Sequence, residues 1–253
     1  MLKIIRFSRA LFLFLVTASD IMTTGIFTLA VALFSPNKGK IIYDWVRGWG
    51  GRGLKRYGIT IKIIGEENWL AAKQIILLAN HQSMVEALIL SRFLRDDMFF
   101  VGKKTLKWIP VFGALYILSK QVLLDRFHHE KALKGMERAR KRIEEGYSLF
   151  LAPEGTRSID GKLGVIKKGF FHLAIQTKAP ILPLTFINAY KIQPKHSIII
   201  NPMEALVVFD PPIDTKEWKS DEVDLRIGEI RNIYQKNLNR YGDPCQYDAS
   251  SST

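Results

Sequence analysis

Residues 80–86 are the part of this sequence best suited to acid–base chemistry. An apolar run ends at Asn80, His81 follows it, and a helical pattern begins directly afterwards. Side chains at the ends of buried strands are held by rigid elements and often face a crevice. Because imidazole takes up and returns a proton near neutral pH, His81 is a candidate general base. The alternative is a strand-end histidine with a structural role.

Glu86 is the candidate partner of His81. A carboxylate on the second ring nitrogen would fix the tautomer of the base and stabilise its imidazolium form. Ser83 and Glu86 also have the spacing of a capping box, which satisfies backbone donors at the start of a helix. Since a carboxylate has two oxygens, Glu86 is catalytic, structural or both.

The chain is strongly basic, with 37 Lys and Arg against 24 Asp and Glu among 253 residues and a net charge of +13. This excess either aids solubility or indicates an anionic partner, such as nucleic acid, a phospholipid surface or a phosphorylated substrate. The basic residues form no groove-reading motif or aromatic platform, which argues against nucleic acid.

Metal and redox sites are not expected. Cys245 is the only cysteine, so an intramolecular disulfide and a multi-cysteine zinc site are excluded. His128, His129 and Glu130 are adjacent but lack further ligands at a suitable spacing. We therefore expect no metal and no other cofactor.

Short apolar runs alternate with helical patterns through the body of the chain. Strands are predicted at 59–64, 74–79, 98–102, 121–124, 148–152, 181–187 and 205–209, and helices at 84–93, 129–145, 167–177 and 221–239. This alternation predicts an α/β fold with a mixed sheet flanked by helices. We expect one catalytic domain over residues 51–245 and a disordered tail at 246–253.

Residues 1–50 are predicted to form a membrane-associated helical segment. Two apolar runs, 10–16 and 21–34, flank Asp20, and each is shorter than the roughly 20 residues that cross a bilayer. A single tilted span would bring Asp20 near the midplane, at a cost of about 2.5–3.5 kcal/mol unless it is paired or hydrated. Basic residues on both flanks favour a hairpin that bends near Asp20. A cleaved signal peptide and packing on the soluble domain are further alternatives.

Four segments, in order, resemble the motifs of the glycerolipid acyltransferases, the family that contains 1-acylglycerol-3-phosphate acyltransferase. Asn80-His81-Gln82-Ser83-x-x-Glu86 resembles the first motif, HxxxxD, and residues 122–126, 150–158 and 179–184 resemble the other three. Two positions depart from the family pattern. Ala152 stands where Phe is usual, and Glu86 stands where Asp is usual. The longer acid keeps open a catalytically silent, lipid-binding homologue.

The resemblance implies that His81 and Glu86 activate an acceptor hydroxyl for attack on the thioester of acyl-CoA or acyl-carrier protein. Lysophosphatidic acid is the expected acceptor, because the chain has no large extra domain. Glycerol 3-phosphate and other lysophospholipids are the alternatives. We expect a phospholipid surface as partner, and attachment to the cytoplasmic face of a membrane through the N-terminal segment.

The resemblance also assigns roles to other residues. Phosphate or acceptor contacts are expected from Arg126, Lys103, Lys104, Glu154, Gly155, Thr156 and Arg157. Glu154 would bind acceptor hydroxyls or hold Arg157, and the alternative for Arg126 is an ion pair with Asp125. Ser83, Pro180 and Pro183 are expected to contact the acyl donor or to be structural.

Overall fold

The computed structural model describes residues 2–125 and 128–242. The helices are α1 Leu2–Phe34, α2 Lys38–Tyr57, α3 Glu66–Ala71, α4 Glu86–Leu90, α5 Phe112–Leu118, α6 His129–Glu144, α7 Gly169–Thr177, α8 Ala189–Ile192 and α9 Val223–Tyr241. The strands are β1 Thr60–Ile64, β2 Ile76–Ala79, β3 Met98–Lys103, β4 Val122–Leu124, β5 Ser148–Leu151, β6 Ile181–Ile187 and β7 Glu204–Phe209. Short 3₁₀ helices lie at Ser91–Phe93, Lys104–Trp108 and Ser220–Glu222. All seven predicted strands are confirmed, with bounds that differ by at most two residues.

The chain forms two compact units. The first, named here the α1 unit, comprises Met1–Ile59, Ala87–Phe150 and Ile198–Ile200. The second, named here the His81 unit, comprises Thr60–Glu86, Leu151–Ser197 and Asn201–Thr253.

The His81 unit contains four strands in the order β1-β7-β6-β2. β1 is parallel to β7, β7 is antiparallel to β6, and β6 is parallel to β2, which confirms the predicted mixed sheet. Every residue of β6 is buried, as expected for a strand that is covered on both faces. α9 packs on this sheet, where the Tyr234 hydroxyl donates to the Leu78 carbonyl at 2.6 Å. The end of β2 therefore lies in a well-packed core.

The α1 unit contains three parallel strands in the order β5-β3-β4, together with the long helices α1 and α2. Tyr43 of α2 is buried, and its hydroxyl donates to the Met98 carbonyl at the start of β3. The Gln121 amide, just before β4, donates to the same hydroxyl at 2.9 Å. These bonds join α2 to the strands of its own unit.

The N-terminal hairpin differs from the prediction. α1 continues through Asp20 without a break, so the predicted bend near Asp20 is wrong. The chain turns at residues 35–37 and returns as α2, which extends to Tyr57. No bend is needed because the Asp20 carboxylate accepts hydrogen bonds from Arg52 at 2.8 Å and Arg56 at 3.0 Å, both on α2. By length and composition, α1 is able to cross a membrane.

Two neighbouring glycines of α2 test the packing of α2 on the 3₁₀ helix Ser91–Phe93. A Cβ added at Gly50 would lie 1.8 Å from Ser91 Oγ, whereas a Cβ at Gly51 would meet nothing within 4 Å. We expect Gly50→Ala to lower the free energy of unfolding by about 1–3 kcal/mol through overpacking. Gly51→Ala should raise it by up to about 1 kcal/mol through helix propensity. Denaturant unfolding of the detergent-solubilised protein measures both, and equal effects would refute this packing.

Candidate active site

The end of β2 is held in place by the side chain of Asn80. The Asn80 amide nitrogen donates to the Phe186 carbonyl at 3.0 Å, and the Asn80 amide oxygen accepts from the Phe186 N–H at 2.7 Å. Asn80 is almost fully buried, so both bonds are shielded from water. They fix the backbone of β2 against β6 directly before His81.

His81 and Glu86 are in direct contact. His81 Nδ1 lies 2.5 Å from Glu86 Oε2, and the side chain of Glu86 is only 5% exposed. When the carboxylate is ionised, it accepts the Nδ1 proton and leaves the lone pair on Nε2. Nε2 has no hydrogen-bond partner among the described residues, and the ring is 30% exposed. The arrangement is that of an oriented general base.

Glu86 also serves the backbone. Its Oε1 accepts the N–H groups of Gln82 at 2.6 Å and Ser83 at 2.7 Å. The carboxylate therefore orients the ring through one oxygen. Through the other it accepts hydrogen bonds from the backbone N–H groups at the start of α4. Both contacts that the sequence left open, one to the His81 ring and one to the helix start, are present, and the catalytic role stays a prediction.

Ser83 completes only part of the predicted capping box. Its hydroxyl accepts from the Val85 N–H at 3.3 Å rather than from Glu86. The same hydroxyl donates to the Gln193 carbonyl at 2.8 Å. Ser83 thus joins the His81 turn to the segment that follows α8, which is a structural contact.

The two prolines of the fourth motif also make structural contacts. The Pro180 carbonyl accepts the Ile76 N–H at 2.8 Å, and Pro183 is buried within β6. Pro183 lies on β6, the strand that is paired with β2, and Pro180 directly precedes it.

Glu154 braces the backbone of His81. One of its oxygens accepts the His81 N–H at 2.8 Å, and the other accepts the Gly164 N–H at 2.6 Å. In the described part of the chain no hydrogen bond joins Glu154 to the Arg157 guanidinium, so the prediction that Glu154 holds Arg157 is wrong. Burial raises the pKa of Glu154, and its two backbone hydrogen bonds partly oppose this effect.

The turn after β5 also contacts the backbone of His81. The Ser158 N–H donates to the His81 carbonyl at 2.8 Å. Gly155 closes the turn with a φ of 69° and donates its N–H to Ala152 at 3.1 Å, so the predicted tight turn is present. A left-handed φ favours glycine, because a Cβ would be strained there. Thr156 is exposed on this turn.

An open cleft of about 460 Å³ lies beside this turn. It is lined by Glu154, Thr156, Arg157, Ser158, Ile159, Asp160, Lys162, Leu163, Gly164 and Lys195. Three cations, Arg157, Lys162 and Lys195, share the cleft, and Lys195 Nζ donates to the Arg157 carbonyl at 2.8 Å. A cleft with this lining is suited to an anionic group such as a phosphate.

Sequence reasoning missed Lys162, Lys195 and Gln82. Lys195 lies 38 residues after Arg157, outside every predicted element, so no local signal marks it. The buried Gln82 amide donates to the Gly161 carbonyl and accepts from the Ala189 N–H, both at 2.9 Å. Gln82 thereby holds residues 156–164, named here the cleft loop, and the start of α8 against the turn at His81.

Other predicted contacts lie outside the His81 unit or outside the described residues. Lys103 and Lys104 are exposed at the end of β3 in the α1 unit, and Lys104 Nζ lies 3.2 Å from Asp125. Arg126 and the tail at 246–253 are outside the described residues. Residues 2–125 and 128–242 contain no group of three His, Cys, Asp or Glu that could hold a metal ion.

Comparison with known proteins places the chain in the acyltransferase family. A family model described as Acyltransferase matches residues 60–187. The chain therefore belongs to this family, and it is an enzyme of acyl group transfer.

Its relatives include the 1-acyl-sn-glycerol-3-phosphate acyltransferase of Limnanthes douglasii, which is 36% identical over 75% of this chain and 67% of that protein. The enzyme of the same name from Haemophilus influenzae is 31% identical over 94% of this chain and 95% of that protein. The crystal structure of the 1-acyl-sn-glycerophosphate (LPA) acyltransferase from Thermotoga maritima has a similar fold. It matches with a TM-score of 0.81 at 23% identity, over 95% of this chain and 97% of that chain.

Proposed function

We propose that this protein transfers a fatty acyl group from a thioester donor to the free hydroxyl of lysophosphatidic acid, giving phosphatidic acid. The donor is acyl-CoA or acyl-carrier protein, and His81 is the general base. The observation that carries the proposal is the 2.5 Å contact between His81 Nδ1 and Glu86, with Nε2 left open. The names of the relatives support the choice of acceptor.

In this mechanism His81 moves one proton. Nε2 accepts the proton of the acceptor hydroxyl while the hydroxyl oxygen attacks the thioester carbonyl carbon. The ionised Glu86 stabilises the imidazolium that forms. The tetrahedral intermediate then collapses, the C–S bond breaks, and the thiolate takes the proton from Nε2. The base returns to its initial state, and no acyl-enzyme is required.

The cleft beside the base supplies the contacts for the phosphate. Arg157 has a guanidinium that can bind two phosphate oxygens at once, and Lys162 and Lys195 add positive charge. Glu154, which also lines the cleft, holds the backbone of His81 next to the cleft loop. Arg126, Lys103 and Lys104 stay candidates for further attraction of phosphate or headgroups.

Membrane attachment is part of the proposal. The acceptor and the product both carry an acyl chain that stays in the bilayer, so the enzyme has to work at its surface. α1 supplies an apolar helix, and the basic excess favours an anionic leaflet. We place the protein on the cytoplasmic face, where the soluble thioester donors are made.

An acceptor panel tests the proposed reaction. The purified protein in lipid vesicles is offered lysophosphatidic acid, glycerol 3-phosphate or lysophosphatidylglycerol with acyl-CoA or acyl-carrier protein, and products are identified by mass spectrometry. We expect phosphatidic acid, with turnover reduced by about 10²–10⁴ in His81→Ala and Glu86→Gln because the base or its orientation is lost.

The exposed His172 on α7 gives the matched control, and His172→Ala should keep full turnover. Product from another acceptor, with none from lysophosphatidic acid, would refute the acceptor assignment. Binding of lysophosphatidic acid without transfer to any acceptor would instead support the silent, lipid-binding homologue.

Substitution of Lys195 tests the phosphate cleft. We expect Lys195→Gln and Arg157→Gln to raise the KM for lysophosphatidic acid by about tenfold or more, since a charge-assisted hydrogen bond contributes about 1.5–3 kcal/mol. The KM for the acyl donor should not change. Lys236→Gln, at an exposed lysine of α9, is the control in steady-state kinetics. An unchanged acceptor KM in both cleft variants would exclude this cleft as the phosphate site.

A further inference from the structure

A loop of the α1 unit presents large apolar side chains to solvent. This segment, residues 103–111, is named here the Trp108 loop. Trp108 is 75% exposed and Ile109 is 46% exposed. Tryptophan carries a large apolar ring with one polar N–H, and proteins concentrate it where an apolar phase meets water. An exposed Trp next to an exposed Ile therefore indicates a contact surface.

The backbone holds the Trp108 loop in one shape. The Ile109 N–H donates to the Leu106 carbonyl at 3.2 Å, and the Gly113 N–H donates to the Ile109 carbonyl at 2.8 Å. A Cβ at Gly113 would lie 2.3 Å from the Lys107 carbonyl oxygen, so the close approach requires glycine. Val111 has a φ of 62°, an unfavourable conformation for a β-branched residue. The surrounding contacts thus maintain a strained shape that exposes Trp108.

The loop lies within a part of the sequence whose charged residues are all basic. From residue 98 to residue 124 the sequence has four lysines and no acidic residue. Lys107 Nζ lies 4.5 Å from the centroid of the Trp108 ring, so a positive charge accompanies the exposed aromatic ring. Lys103 and Lys104 are exposed at the start of the loop, although Lys104 is paired with Asp125. An anionic partner complements this surface.

The loop is continuous with α1. A Cβ at Gly25 of α1 would lie 2.7 Å from Val111 Cγ1, so Val111 packs directly on that glycine. Leu115 of α5 forms a buried cluster with Ala32 of α1 and Ile42 of α2. In this half of α1 the large exposed apolar residues are Met22, Ile26, Phe27, Val31, Leu33 and Phe34. Within the α1 unit, the end of the Trp108 loop thus packs on a helix that has exposed apolar side chains of its own.

We propose that the Trp108 loop is a second membrane contact, seated in the interfacial layer of an anionic bilayer. Trp108 and Ile109 enter the boundary between headgroups and acyl chains, while Lys107 binds the lipid phosphates. The inference rests on the proposed attachment of the protein to a membrane and adds a contact point beside α1. Two contact points fix the rotation of the α1 unit about the axis of α1.

Site-directed spin labelling tests this contact directly. In full-length protein with Cys245→Ser, a nitroxide is attached to Trp108→Cys, Phe27→Cys or Leu70→Cys. Phe27 on α1 is 71% exposed, and Leu70 on α3 matches the exposure of Trp108 at 73%. Collision rates with oxygen and with a water-soluble nickel chelate are measured in detergent and in vesicles of phosphatidylcholine and phosphatidylglycerol.

We expect the labels at 108 and 27 to gain oxygen collisions and lose nickel collisions in vesicles, and the label at 70 to remain aqueous. An aqueous label at 108 with a membrane-buried label at 27 would overturn the second contact and leave membrane attachment intact. A label at 27 that stays aqueous would count against the membrane role of α1 itself.

The charge of the loop is tested separately by vesicle partitioning. We expect Lys107→Gln to weaken partitioning into the anionic vesicles by about fivefold, the effect of one lysine near such a surface. Lys131→Gln, at an exposed lysine of α6, is the control. Equal partitioning of the two variants would show that Lys107 does not bind the lipid headgroups.

Discussion

The hydrogen bond between His81 and Glu86 is the interaction on which the candidate site depends. One carboxylate accepts from the ring through one oxygen and from two backbone N–H groups through the other. The backbone turn formed by His81, Gln82 and Ser83 therefore sets the position of the His81 ring. The ring and this turn cannot move independently. Because Glu86 is buried, water does not compete for these bonds. A single residue thus connects the start of a helix with the orientation of the His81 ring.

Several further contacts hold the backbone of His81 in place. Asn80 fixes the end of β2, which directly precedes His81. Glu154 binds the His81 N–H group, and Ser158 binds the His81 carbonyl group. Burial disfavours the ionised form of Glu154 and raises its pKa, yet this carboxyl group connects the backbone of His81 to the cleft loop. A catalytic group has to be held to within fractions of an ångström, and these buried polar contacts provide that constraint.

The strands and the His81 turn could be predicted from the sequence because their signals are local: apolar runs for the strands, and seven residues for the turn. The predicted helical segment ends at residue 50, whereas α2 extends to Tyr57, because Gly50, Gly51 and Gly53 lower helix propensity there. Gly50 and Gly53 allow close packing on Ser91 and Leu88, and this tertiary contact outweighs propensity. The bend at Asp20 was predicted wrongly because the arginines that pair with Asp20 lie more than thirty residues away. Glu86 stands where Asp is usual, and its longer side chain still reaches His81.

We infer that Glu86 holds the proton of His81 on Nδ1 and leaves Nε2 free to act as a base. Nitrogen-15 NMR of the histidine side chains reports this tautomer directly, with His81→Ala providing the assignment. At a pH where the imidazole is neutral, we expect a protonated Nδ1 and an unprotonated Nε2 for His81. A neutral His81 with its proton on Nε2 would rule out this role of Glu86, because Nε2 of that ring could not accept a proton from the acceptor hydroxyl.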